Sequence, residues 1–207
     1  MYVGRIAVVG LFQGRGFVAY RVSSRSFPNR RAGVRDKSIT ILPLDPADLA
    51  KNPYISYNCV RVLGDVAVVS NGTHTDMIAE RIQDGQRPGD AMALSLLAYG
   101  HERDELDTPR IAGAVRGNIT WLGIASKDEL RVKQFRLVED QALMVATYEK
   151  TDFEEVLMSA EDASRMARRA YELSFERPVC AAAAMEKSVR GKGEFDLAVY
   201  NPNESSS

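Results

Sequence analysis

Only two cysteines (Cys59 and Cys180), two histidines (His74 and His101) and one tryptophan occur among 207 residues. Two distant cysteines without metal-like spacing exclude a disulfide framework and read as reduced, buried thiols. Two histidines leave a His-based metal centre or a Ser-His-Asp triad short of parts. The phosphate loop GxxxxGK followed by Ser or Thr, a GxGxxG after a strand, HExxH and CxxC are all missing, which argues against the usual P-loop, dinucleotide and zinc chemistries. No apolar run approaches the roughly 18 residues of a membrane span. The opening MYVGRIAVVG has no charged-then-apolar leader. A net charge of −1 lacks the basic excess of a general nucleic-acid binder. The expectation is a soluble cytoplasmic protein that uses no metal or cofactor and binds neither nucleic acid nor membrane.

What is present is an apolar share of 45%, enough for one sizeable core in a chain of this length. The first third reads as strands. GRIAVVG (4–10) and FVAYRV (17–22) flank the turn FQGRG, and KSITILP (37–43) is a third run. DPADLAKNP (45–53) predicts a short helical turn stopped before Pro53. ISYNCVRVL (55–63) then pairs with VAVVSN (66–71) across Gly64-Asp65. Thr73 with Asp76 predicts a capping box opening THTDMIAERIQDG. Pro88 and Asp90 introduce DAMALSLLAYG, broadly apolar like a buried helix.

Strand patterns return at RIAGAVRG (110–117), ITWLGIA (119–125), LRVKQF (130–135) and ALMVATYE (142–149). Ser159 and Asp162 open a further helix with Ala163, Met166, Ala167, Ala170 and Tyr171 on one face. PVCAAAAMEK is ambiguous between strand and helix, and EFDLAVY (194–200) alternates like a closing strand. This order has no repeating βαβ rhythm. It predicts an α+β fold with antiparallel sheets, plausibly two stacked between helical layers. Residues 1–200 are expected to form a single catalytic domain, with 201–207 a disordered polar tail.

Polar clusters sit at strand ends. YRVSSRSFPNRR (20–31) carries Arg21, Arg25, Arg30 and Arg31 among Ser23, Ser24 and Ser26. A solvated arginine loop is the ordinary reading. Yet the segment holds no carboxylate partner, and planar guanidinium forks suit phosphate or carboxylate oxygens. In NPYISYNC (52–59), Tyr57 and Asn58 interrupt an apolar strand where Asn fits poorly. Either a satisfied structural Asn or a ligand contact explains it. SNGTHTD (70–76) is a strand-to-helix turn whose free N–H groups could meet an anion, though Asn71-Gly72 alone is a common turn. HERDELDTPRIAG (101–113) holds Glu102, Asp104, Glu105 and Asp107; a water-facing loop is its default reading, and a reservoir of bases its functional one.

Together, YRVSSRSFPNR, NPYISYNC, SNGTHTD and ERDELDTPRIA resemble the archaeal IMP cyclohydrolase family over most of the first 125 residues, with PVCAAAA similar near the C-terminus. The resemblance implies the last step of de novo purine biosynthesis. There, 5-formamidoimidazole-4-carboxamide ribotide closes on itself and loses water to give inosine monophosphate. It also implies an αββα four-layer sandwich resembling N-terminal-nucleophile hydrolases. Their chemistry does not carry over, because it needs a freed Ser, Thr or Cys and this chain begins Met1-Tyr2.

On that resemblance, Arg21, Arg25 and Arg30, with Ser24 and Ser26, hold the 5′-phosphate or polarise the formyl oxygen. Tyr57 and Asn58 bind the carboxamide–formamide edge, and Tyr57 can donate a proton to the leaving oxygen. Asn71 and Gly72 approach the base or ribose. Glu102 is the general base, with Asp104 and then Glu105 next in line. The partner is a small nucleotide, and a homo-oligomer is expected because Arg-rich loops can complete a neighbour's site. Two other readings compete: an amide hydrolase on the same scaffold, and a purine-nucleotide-binding regulatory protein without turnover.

Overall fold

The computed structural model describes residues 1–51, 53–189 and 193–202. In chain order its elements begin with strands β1 (Ile6–Phe12), β2 (Arg15–Ser23), β3 (Arg30–Arg35) and β4 (Ser38–Pro43). A short α1 (Asp48–Lys51), a 3-10 turn (Pro53–Ile55), β5 (Tyr57–Leu63) and β6 (Val66–Ser70) follow. Helices α2 (His74–Gln83) and α3 (Pro88–Tyr99) lead to β7 (Arg110–Arg116), β8 (Ile119–Ala125) and β9 (Leu130–Arg136). The chain continues through β10 (Ala142–Ala146), β11 (Glu154–Glu155), α4 (Ala163–Tyr171), β12 (Pro178–Glu186) and β13 (Phe195–Tyr200). Of the tail expected over 201–207, residues 203–207 lie outside the described residues.

Two antiparallel sheets result. One runs β11-β10-β1-β2-β12-β13, the other β3-β4-β5-β6-β7-β8-β9. Strand alternation explains why they stack. Along β1 and β2, Ala7, Val9, Val18 and Tyr20 enter one apolar cluster, shared with Ile39, Tyr57 and Val69 of the second sheet. Their neighbours Ile6, Val8, Phe17 and Ala19 enter another, with Met166, Ala167 and Ala170 of α4. Strands buried on both faces are apolar nearly throughout. On the second sheet, Val66, Val68, Ala112 and Ala114 face Ile78, Met92 and Leu96 of α2 and α3. The layers therefore run helix, sheet, sheet, helix.

Several local expectations change. RRAGVR, which the sequence leaves in a polar loop, is the edge strand β3, paired from Arg30↔Pro43 to Arg35↔Ser38. The ambiguous PVCAAAAME is β12, held between β2 and β13. Its alanines alternate between the two clusters, so tertiary pairing overrides helix preference. No capping box forms. Thr73 has helical backbone, which denies it the cap geometry, and Asp76 instead ties α2 to Asn58 and Arg61 of β5. Asp162, by contrast, caps α4 by accepting from Arg165 N at 2.7 Å.

At one end of the sandwich the β1–β2 and β7–β8 hairpins nearly touch. A Cβ on Gly16 would lie 2.6 Å from the Gly117 carbonyl oxygen. Glu186 seals this end by accepting from Gly16 N at 2.8 Å. Gly16→Ala should therefore destabilise the fold by about 1–3 kcal/mol through forced separation of the hairpins. Urea unfolding measures this, and an unchanged midpoint would show that the hairpins separate freely.

Candidate active site

The opposite end gathers the first residues of β3, β5 and β7, the approach to β1, and the loops after β2 and α3. Arg5 stands just before β1. Its guanidinium crosses to the other sheet, where Nη2 lies 2.9 Å from Glu102 Oε2. Glu102 is only 2% exposed. Arg110, the first residue of β7, places Nη1 at 3.7 Å from Glu102 Oε1. The same guanidinium lies 5.2 Å from the Tyr99 ring centre and 5.8 Å from that of Tyr54. Glu102 Oε1, Arg110 Nε and Nη1, and Arg5 Nε are buried with no hydrogen-bond partner among the described residues. Buried polar atoms are normally paired. These point to a polar ligand.

Burial raises the Glu102 carboxyl above its ordinary range, while Arg5 and then Arg110 pull it back down. Burial is the largest effect on Arg5 and opposes its charge, but Glu102 together with Tyr57, Tyr20 and Tyr148 more than offsets it and holds the guanidinium above its ordinary range. Such a carboxylate is a stronger base than an exposed one yet still ionises beside two guanidinium groups.

The loop that carries Glu102 is closed by its neighbours. Glu102 N donates to Thr108 O at 2.8 Å. Asp104 accepts from Thr108 N at 2.9 Å and from Thr108 Oγ1 at 2.6 Å. Asp104, expected to contact substrate, therefore braces the loop. Glu105 is exposed, and Asp107 pairs with Lys127 and His101 at the surface. Of the four acids in this stretch, Glu102 faces the buried cluster.

Tyr57 opens β5 on the inner face of its sheet and meets Tyr20 of the other sheet, hydroxyl to hydroxyl, at 2.7 Å. Burial pushes Tyr57 up to about 12 despite the opposing effects of Arg30 and Arg5. Arg30 is buried, its Nε donates to Phe27 O at 2.9 Å, and no carboxylate among the described residues pairs with it. Arg25 is 61% exposed at the rim, 4.0 Å from Glu176. Its guanidinium also lies 4.2 Å over the Tyr2 ring, and Tyr2 stacks on Tyr148. Tyr148 in turn bonds Thr108 at 2.6 Å. The arginine loop thus adjoins both the tyrosine strand and the acidic bend. Ser26 is exposed beside Arg25, and Ser24 Oγ accepts from Phe27 N at 3.0 Å, shaping the loop.

Three expected contacts lie elsewhere. Arg21 follows Tyr20 on β2 and so projects from the opposite face, towards α4. There it donates to the Leu173 and Phe175 carbonyls and to Ser23 Oγ. Burial lowers it to about 10. Asn58 likewise points away from Tyr57, joining Thr40 at 2.7 Å and Asp76 at 2.9 Å. Asn71 is fully engaged: it accepts from Ile111 N at 2.8 Å and donates to Pro109 O at 3.0 Å. It thereby clamps the residues on either side of Arg110.

Gly72 matters through its missing side chain. A Cβ there would lie 2.7 Å from Arg110 Nη1 and 3.1 Å from His74 Nδ1. His74 is buried and depressed to about 3, chiefly by burial and then by Arg110. It packs beside Arg110 as a neutral ring. Arg5, Tyr20, Arg110, Tyr54 and Tyr99 are site residues that the sequence reading passed over. A lone arginine before an apolar strand carries no local motif.

A family model described as IMP cyclohydrolase-like protein matches residues 2–192. The IMP cyclohydrolase of Methanothrix thermoacetophila is 57% identical over 202 residues, spanning 98% of this chain and 100% of its own length. Those of Methanocella arvoryzae and Natronomonas pharaonis are 52% and 47% identical over 202 residues, covering 97% of this chain and 98% and 99% of their own.

Arg5→Met should raise the Glu102 pKa further, since the strongest opposing charge disappears. A carboxyl carbon-13 titration of Glu102 in both proteins measures the change. An unmoved or lowered midpoint would refute the electrostatic account.

Proposed function

The chain belongs to the family of IMP cyclohydrolase-like proteins, and we propose that it catalyses ring closure of 5-formamidoimidazole-4-carboxamide ribotide to inosine monophosphate through the Glu102–Tyr57 end of the sandwich. The observation that carries the site assignment is the Glu102 carboxylate, buried between Arg5 and Arg110 with Oε1 unpartnered among the described residues.

The reacting groups belong to one molecule, so holding the formamide against the carboxamide supplies much of the rate. Glu102 takes a proton from the carboxamide nitrogen as that nitrogen bonds to the formyl carbon. Tyr57 protonates the formyl oxygen as it becomes a hydroxyl. In the second step the formamide nitrogen returns its proton to Tyr57 while the carbon–nitrogen double bond forms. The hydroxyl leaves as water with the proton held by Glu102. Both side chains end as they began, and one water is lost.

Arg110 and Arg5 lie where they can stabilise charge on the formyl oxygen, an effect worth roughly 3 kcal/mol per well-aimed donor. Arg30, Arg25, Ser24 and Ser26 form the loop best suited to the 5′-phosphate, with Arg30 the buried member. We propose that residues 1–200 form one catalytic domain whose layer order is a variant of the N-terminal-nucleophile hydrolase scaffold, and that several copies assemble. Among the described residues no helix is long and apolar enough to cross a membrane.

Purified protein mixed with the formamido ribotide should give the ultraviolet change of purine formation. Glu102→Gln should lower kcat by about a hundredfold or more. Full turnover in Glu102→Gln would remove Glu102 from the mechanism, and no spectral change with the wild type would overturn the activity. The corresponding nucleoside without phosphate should bind about tenfold or more weakly, since hydrogen bonds to charged groups are lost. Equal binding would release the arginine loop from its role.

A further inference from the structure

We propose that Tyr20 is a positioning residue for the ring closure, its hydroxyl donating to Tyr57 Oη so that the Tyr57 hydrogen is turned out of the core towards the substrate. The inference rests on the reading of Tyr57 as the proton donor and assigns that donor's direction to a residue on the other sheet.

Direction follows from the unequal burial of the two hydroxyls. Tyr20 is 0% exposed, in the apolar cluster between the sheets, and its hydroxyl lies 2.7 Å from Tyr57 Oη. Two hydroxyls joined by one hydrogen bond can place only one hydrogen on the axis between the oxygens. Were Tyr57 the donor, the Tyr20 hydrogen would need a second acceptor, and none exists for it among the described residues. The nearby cation, Arg5, offers N–H groups and no lone pair. A buried hydroxyl hydrogen without an acceptor is disfavoured, and Tyr20, at 0% exposure against 5% for Tyr57, is the one with no access to an acceptor from outside the core, so Tyr20 donates.

Tyr57 then accepts from inside the core and keeps its own hydrogen. That hydrogen has no acceptor among the described residues either. However, Tyr57 stands at the first position of its strand, is 5% exposed, and has Arg30 and Arg5 as its nearby cations. Guanidinium groups cannot receive a hydrogen bond. The outward hydrogen is therefore aimed at whatever acceptor the ligand brings. The same bond supports Tyr57 after it has given its proton, because Tyr20 donates to the resulting oxyanion. This agrees with the direction of its effect: the Tyr20 hydrogen bond eases Tyr57 ionisation, while Tyr20 itself is driven well above its ordinary range by burial and by Tyr57. The ring planes cross at 80°, with centres 6.4 Å apart, so packing fixes both hydroxyls.

A double-mutant cycle on the full chain tests the inference. Tyr20→Phe should lower kcat about tenfold with KM for the ribotide changed less than about twofold. In the Tyr57→Phe background the same substitution should change kcat no further. Equal losses in both backgrounds, or no loss in either, would overturn the positioning role while leaving Tyr57 as donor. Full turnover of Tyr57→Phe would instead overturn the underlying reading, and this proposal with it. A second measurement needs no variant of Tyr20. Wild-type protein should show a slowly exchanging Tyr20 hydroxyl proton by NMR, close to the Tyr57 ring, and a fast-exchanging one would refute the bond direction.

Discussion

The ion pair between Arg5 and Glu102 is the interaction on which the site depends. One partner approaches from the first strand of the six-stranded sheet, the other from the bend preceding β7 of the seven-stranded sheet. Both are largely buried, and a buried charge without its counterion carries a desolvation penalty of several kcal/mol. Glu102 can remain ionised at 2% exposure because two guanidinium groups surround it. Asp104 and Thr108 close the loop that holds it, and Asn71 clamps the strand that brings Arg110. Much of the polar inventory near this end therefore supports one carboxylate rather than touching a ligand.

Strand alternation decides which of two adjacent polar residues can act. Tyr20 and Arg21 are neighbours, as are Tyr57 and Asn58. In each pair the tyrosine enters the inter-sheet space and its neighbour faces a helix. Arg21 replaces the water lost at the inner side of α4 by binding chain carbonyls after that helix. Asn58 links two strands to α2 through Asp76. Both are held by protein partners, and neither shares a face with its neighbouring tyrosine.

These assignments mark what the amino-acid pattern makes legible. Apolar runs with turn residues between them disclose most strands, and the face Ala163, Met166, Ala167, Ala170 discloses α4, because those signals are local. Glu102, Tyr57 and Arg30 are reached through the family resemblance, since residue type alone leaves a water-facing loop the ordinary reading of the acids and arginines. RRAGVR is not legible as a strand, since its edge position leaves charged side chains in water. Arg5 and Tyr20 are hidden for a different reason: each is meaningful only through a partner 97 or 37 residues away. A pattern two residues wide cannot report such pairings. The period of two could still have separated Tyr57 from Asn58, and it is the local rule that the polar reading underused.

The buried Glu102 carboxylate and its main counterion hang from different sheets, as do the two facing tyrosines. Their mutual distances are thus fixed by the interdigitated valines and alanines between the layers. Lateral slippage of one layer over the other would pull the acid from its cation and part the two tyrosine hydroxyls in a single motion. Heat should accordingly extinguish turnover in step with loss of compactness, leaving no broad interval in which the protein is folded but inert.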